Sequence, residues 1–183
     1  MPMPHCTSPL RVMTLCLLPI LMCAPLTHAS VFTQESRVEN PTPAANDKMG
    51  SSLAAGASWL AAGAPRDTTQ GIYAGEVAIF PWDTSTGWGT PFTITESTLG
   101  NFAYYGTSVA ANNGDDRLVV GCPGYAVTSS RVGAAWIYDI NPTAGSASFI
   151  AMLSPAGLSS GDDFGYAVAI YNDYIAVGAP DYN

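Results

Sequence analysis

The chain has 183 residues, 14 acidic side chains against six basic ones, and a formal net charge of −8 at pH 7. That length fits one ordinary domain. The acidity excludes a surface built to neutralise phosphate, so neither nucleic acid nor anionic lipid is an expected partner.

The first predicted element is a secretory leader over residues 1–29. Arg11 supplies a short basic region, Val12 to Leu26 an apolar run, and Thr27-His28-Ala29 a small-residue cleavage site. The run is interrupted by Pro19 and Pro25 and is shorter than the ~20 residues a membrane span needs. A removable signal is therefore expected, with no membrane insertion once it is gone, and a location outside the cell or on its outer face. His5, His28, Cys6, Cys16 and Cys23 leave with the leader. Losing Arg11 leaves five basic residues against fourteen acids, a formal charge of −9. Cys122 is then the one remaining thiol. No internal disulfide can form, and packing must supply the stability. Asn141-Pro142-Thr143 is excluded as a glycosylation sequon by its proline.

Residues 30–48 have the composition of a linker, with Pro41, Thr42 and Pro43 among polar residues. Yet Val38 stands where the later residues Ile94 and Leu153 stand, eleven positions before a repeated leader residue. An outer strand is the favoured reading of this segment, with Val31-Phe32-Thr33 extending it.

From residue 49 the sequence repeats. Met49-Gly50, Tyr105-Gly106 and Phe164-Gly165 lead three units, 49–104, 105–163 and 164–183. Each leads to a Gly-x-Pro: Gly63-Ala64-Pro65, Gly121-Cys122-Pro123 and Gly178-Ala179-Pro180. The leading glycines are 56 and 59 residues apart, and each lies 13 or 15 residues before its Gly-x-Pro. Gly75-Glu76-Val77 and Gly133-Ala134-Ala135 follow at matching offsets, and Asp47 and Asp162 precede two of the leaders by two positions. Short apolar runs bounded by Gly, Pro, Asn and Asp, with no sustained helical period, read as four strands per unit. A four-stranded unit at this period suits a propeller blade.

This pattern resembles the FG-GAP repeat family, the blades of integrin-α-like propellers. Phe164-Gly165 with Gly178-Ala179-Pro180 carries both halves of the motif, while Met49, Tyr105 and Cys122 are modest departures. The resemblance implies an all-β fold of β-propeller blades. Two full units and half of a third make a partial propeller, which is expected to be incomplete as a folding unit.

The family also implies calcium, held by an Asp-rich loop between the first two strands of a blade. Ala55-Gly56-Ala57-Ser58 and Tyr171-Asn172-Asp173 do not offer such a loop. Only Asn112, Asn113, Asp115 and Asp116 supply several oxygens, and Asn113-Gly114 is itself a hairpin signal. A plain turn is the favoured reading, with no cofactor required. Gly161-Asp162-Asp163 lies outside that loop.

Catalysis finds little to work with. Without histidine no His-based triad or His-ligated zinc site can be built. No spacing of the acids suggests a facing pair, and Cys122 reads as a small core residue. The expectation is a non-enzyme. Phe80, Trp136, Tyr138 and Phe149 are expected in the core between blades. Trp82, Trp88, Tyr125 and Tyr182 are placed in loops, where aromatics favour recognition. Tyr125 and Tyr182 follow Gly-x-Pro in successive units and should share one end of the fold. The function expected is a secreted or cell-surface module for protein or glycan binding, or cell adhesion. The alternative is an accessory propeller region of a secreted hydrolase or phospholipase.

Overall fold

A computed structural model describes residues 38–112, 114, 116–127 and 130–183. The expected leader, Val31-Phe32-Thr33, Asn113 and Asp115 lie outside the described residues. Everything described is strand, bridge, turn or irregular chain, so the fold is all-β.

The first repeat forms β1 (Ser52–Ala55), β2 (Trp59–Ala64), β3 (Glu76–Asp83), β4 (Gly87–Trp88) and β5 (Phe92–Ile94). They pair antiparallel as β1-β2-β3-β5, with β4 folding back on the far end of β3. The second repeat forms β6 (Ser108–Asn112), β7 (Arg117–Cys122), the short hairpin β8 (Ala126–Val127) and β9 (Ser130–Arg131), then β10 (Ala134–Asn141) and β11 (Ser146–Leu153). Its sheet runs β6-β7-β10-β11, again antiparallel. The third repeat contributes the hairpin β12 (Ala167–Tyr171) and β13 (Tyr174–Gly178). Two four-stranded meanders and a hairpin follow the sequence repeat and have the strand order of blades.

Stacking of these sheets explains why the central strands read as unbroken apolar runs. β7 and β10 are buried on both faces, as strands between two neighbouring sheets must be. Side chains alternate by the two-residue period of a strand. Leu118, Val120, Trp136 and Tyr138 pack with Ala61, Val77 and Ile79 of the first repeat. Val119, Ala135 and Ile137 pack instead with Val168, Ile170, Ile175 and Val177 of the third.

The motif glycines serve close backbone approach. A Cβ on Gly63 would lie 2.0 Å from the Gly106 carbonyl oxygen, and one on Gly121 2.0 Å from that of Gly165. Ser52 Oγ donates to the Gly106 carbonyl at 2.8 Å, and Ser108 Oγ to that of Gly165 at 2.9 Å. The leader of each following repeat is thus drawn against the Gly-x-Pro strand of the one before. Gly75 bridges Tyr105 and Gly133 bridges Phe164 in the same manner.

Several expectations change. Residues 38–48 carry turns and no strand, although Val38 and Met49 do pack on Ala62, Ala78 and Phe80. Asp47 and Asp162 are buried loop acceptors: the Oδ2 atoms take the N–H of Ala44 and of Ser159, each at 2.6 Å. Phe149 is not core. It is 58% exposed on the outer strand β11, where Ser148, Phe149 and Ile150 are all exposed beside a register shift in the β10–β11 pairing, and its ring meets Tyr138 edge-to-face at 6.1 Å. Phe80, Trp136 and Tyr138 are buried as expected. Cys122 is fully buried, its Sγ donating to the Ala103 carbonyl at 3.0 Å. Burial pushes its thiol pKa well up, so it sits in the core as a small apolar residue.

Candidate binding trough

Antiparallel strands send their chemistry to two ends. At one end lie the β3–β4 turn, the β6–β7 turn and the β10–β11 turn. The strand β3 runs on through Pro81 to Asp83, and there the Asp83 carboxylate closes the turn. It accepts the N–H groups of Ser85 at 2.8 Å and Thr86 at 3.1 Å, together with the Ser85 hydroxyl. These bonds, the Ser85 hydroxyl foremost, hold the Asp83 carboxyl below its ordinary pKa. Gly87 at φ +81° completes the reversal.

Trp82 and Trp88 are therefore not loop residues. They are direct cross-strand partners, with ring centroids 4.8 Å apart in an edge-to-face arrangement. Trp88 is 38% exposed. Trp82 walls a cavity of about 390 Å³ with Ser58, Ser85, Thr86, Pro142 and Thr143. A second cavity of about 530 Å³ shares Ser58, Pro142 and Thr143 and adds Asp116, Asp139 and Ser148. The two form one continuous trough across the first and second repeats.

The trough floor is fixed by one bond that crosses between the first and second repeats, from Trp59 to Asp116, and by others within each repeat. Trp59 Nε1 donates to Asp116 Oδ1 at 2.9 Å, and the Ile140 N–H donates to the Asp116 carbonyl at 2.9 Å. The Trp82 N–H donates to the Ser58 carbonyl at 2.7 Å. Arg117 Nε meets Asp139 Oδ1 at 3.3 Å. Asn112 reaches the other way, its Nδ2 donating to the Asn172 carbonyl at 3.2 Å. The two described members of the expected calcium loop thus tie the second repeat to both neighbours. Among the described residues no group of three His, Cys, Asp or Glu is placed to hold a metal ion.

The fold brings Trp82, Trp88 and Asp116 to this end and sends Tyr125 and Tyr182 to the other. Both tyrosines sit in the same turn, Tyr125 N–H on the Cys122 carbonyl at 3.2 Å and Tyr182 N–H on the Ala179 carbonyl at 3.3 Å. Their surroundings differ. Tyr125 is half-buried and packs edge-to-face on Trp136 at 4.8 Å, whereas Tyr182 is 61% exposed. Ser58, Asp139 and Thr143 were missed by sequence reasoning. The only signal was their shared position at the strand ends opposite Gly-x-Pro, which a list of turn formers does not single out.

Chemically the trough offers hydroxyls, the three carboxylates of Asp83, Asp116 and Asp139, each already engaged by protein donors, and one indole face. That set can hydrogen-bond and stack. Residues 148–183, covering β11 to β13 and the leader of the third repeat, match the family model of the FG-GAP repeat. No curated protein matches the chain.

Proposed function

We propose that this chain, an FG-GAP repeat protein, is a secreted or cell-surface module that binds a protein or glycan ligand along the trough and carries no catalytic centre of its own. The observation that supports this reading is Trp82 in the wall of a hydroxyl-lined channel, braced edge-to-face by the exposed Trp88. Two packed indoles give a large contact area at little cost in side-chain freedom, the property that makes aromatics effective anchors at interfaces. The hydroxyls around them supply directional bonds without net charge, which suits polar ligands.

The test is binding of the full secreted chain to immobilised extracellular proteins and to a glycan array. Trp88→Ala alters an exposed side chain on a two-residue strand and should leave the fold intact. It should weaken the strongest interaction at least tenfold, since a buried aromatic anchor contributes about 2 kcal/mol or more. A Trp82→Ala/Trp88→Ala double variant that keeps its melting transition and binds like the parent would remove the trough from consideration.

A further inference from the structure

A second cavity opens at the opposite end of the strands. It is about 420 Å³, within the size range of small-ligand sites, and is walled by Phe102, Tyr104, Tyr166, Arg131, Asp163 and Thr107. Its residues come from the segments leading into the second and third repeats and from β9.

The aromatic wall is held against a conformational preference. Tyr73, Phe102 and Tyr104 have φ of +51°, +61° and +57°, a region that bulky residues rarely adopt. The preceding and following repeats place Asn46 and Lys48, then Gly161 and Asp163, at the two corresponding leader positions, also with positive φ. The backbone form is therefore common to all three repeats, while aromatics there belong to the second alone. Their rings form one cluster: Tyr73 meets Phe102 at 5.8 Å and Tyr104 at 6.2 Å. Tyr166, 55% exposed, adds a further ring from the third repeat.

Charge is balanced across the cleft. The Arg131 guanidinium lies 5.3 Å from the Phe102 centroid and donates one N–H to the Asn101 carbonyl at 3.2 Å. Among the described residues the Arg131 side chain makes no other hydrogen bond. Asp163 lines the same cleft, and no ion pair joins it to Arg131 among the described residues. Burial, then the neighbouring Asp181 and Asp162 carboxylates, disfavours the ionisation of Asp163. An anionic ligand would meet the Asp163 carboxylate and a cationic one the guanidinium. A neutral ligand with an apolar face and a rim of hydroxyls avoids both penalties and uses every group present.

We propose that this cleft is a second ligand site and that it takes a neutral saccharide. One sugar ring lies against the aromatic wall, with its hydroxyls accepting from Arg131 and donating to Asp163. The site does not depend on the trough, which lies at the other strand ends.

The experiment is titration of the full chain with neutral gluco-, manno-, galacto- and xylo-tetrasaccharides, with tetragalacturonate as the anionic probe and a chitosan tetramer as the cationic one. At least one neutral probe should bind more tightly than either charged one. Tyr166→Ala and Asp163→Asn should each weaken it at least tenfold, and Asn is well tolerated at the positive φ of residue 163. Trp88→Ala should not change it. Tighter binding of a charged probe, no binding by any neutral probe, or a loss that follows Trp88 instead of Tyr166 each overturns the proposal. Should Asp163→Asn fail to fold, Tyr166→Ala alone decides.

Discussion

Replacing Gly121 by alanine tests the idea that the repeat glycines exist to admit the neighbouring backbone. The new Cβ would sit 2.0 Å from the Gly165 carbonyl oxygen and 2.2 Å from Ser108 Oγ. Both are far inside van der Waals contact, and one is main chain, which cannot rotate away. The hydrogen bond between those two groups, 2.9 Å in length, must break or move. Overpacking of this kind costs about 1–3 kcal/mol, and a lost hydrogen bond about 1 kcal/mol more. The expected total is roughly 2–4 kcal/mol, a large share of a typical stability of about 5–15 kcal/mol. Denaturant unfolding followed by tryptophan fluorescence should show the midpoint falling with little change in slope, and Tm should drop by roughly 10 °C. The same exchange at Gly178 is the internal control. There the Cβ would find Ala167 Cβ at 3.5 Å as its nearest neighbour, an ordinary contact, and the cost should stay within about 0.5 kcal/mol. Equal losses at the two positions would refute the reasoning, since they share the motif and differ in what passes beside them.

Other consequences are equally open to measurement. Trp59→Phe removes the indole N–H that Asp116 accepts and should destabilise by about 2 kcal/mol or more, the cost typical of a bond to a charged group; Asp116→Asn, which keeps an acceptor, should lose roughly half as much. Burial, then repulsion from Asp67 and Asp47, raises the Glu76 pKa, opposed by the Thr42 hydroxyl. The folded chain therefore holds that proton more tightly than the unfolded one, and stability should fall as pH rises from about 4.5 through the raised folded value. Glu76→Gln should flatten this part of a Tm-against-pH profile, and an unchanged slope would count against it. Cys122 should resist thiol reagents under native conditions, and Cys122→Ala should cost about 1 kcal/mol. Melts with calcium and with a chelator should coincide within a degree or two, and a shift of many degrees would mean the 112–116 loop had been misjudged.

The repeat, the sheet order and most of the core were legible because glycine spacing and strand alternation are local properties with a fixed period. Trp136 and Tyr138 could be assigned from that alternation. Phe149 could not, since exposure on the outer strand β11 depends on how much of it the neighbouring chain covers, which alternation does not tell. Trp82 and Trp88 were placed in loops because Pro81, Asp83 and Gly87 read as turn signals. Proline is tolerated here because Pro81 is the last residue of β3 paired with β2, opposite Trp59 at the end of the ladder. The repeated Asp47 and Asp162 were visible, but their role as buried acceptors for a loop three residues back was not. Trp82 and Asp116 are 34 positions apart, and only the stacking of two sheets places them along one trough.

The alternation along β7 also bears on how such a chain can diverge. Leu118 and Val120 serve the sheet before, Val119 the sheet after. A single inserted residue within the strand would exchange those allegiances at once and spoil two interfaces together. Insertions at the strand ends carry no such penalty, and the 13- and 15-residue spacings already show one accommodated in the β6–β7 turn. Change is therefore channelled to the ends, where both cavities lie. Recognition can drift from one lineage to another while the stacked strands stay in step, so relatives that share this repeat need not share a ligand.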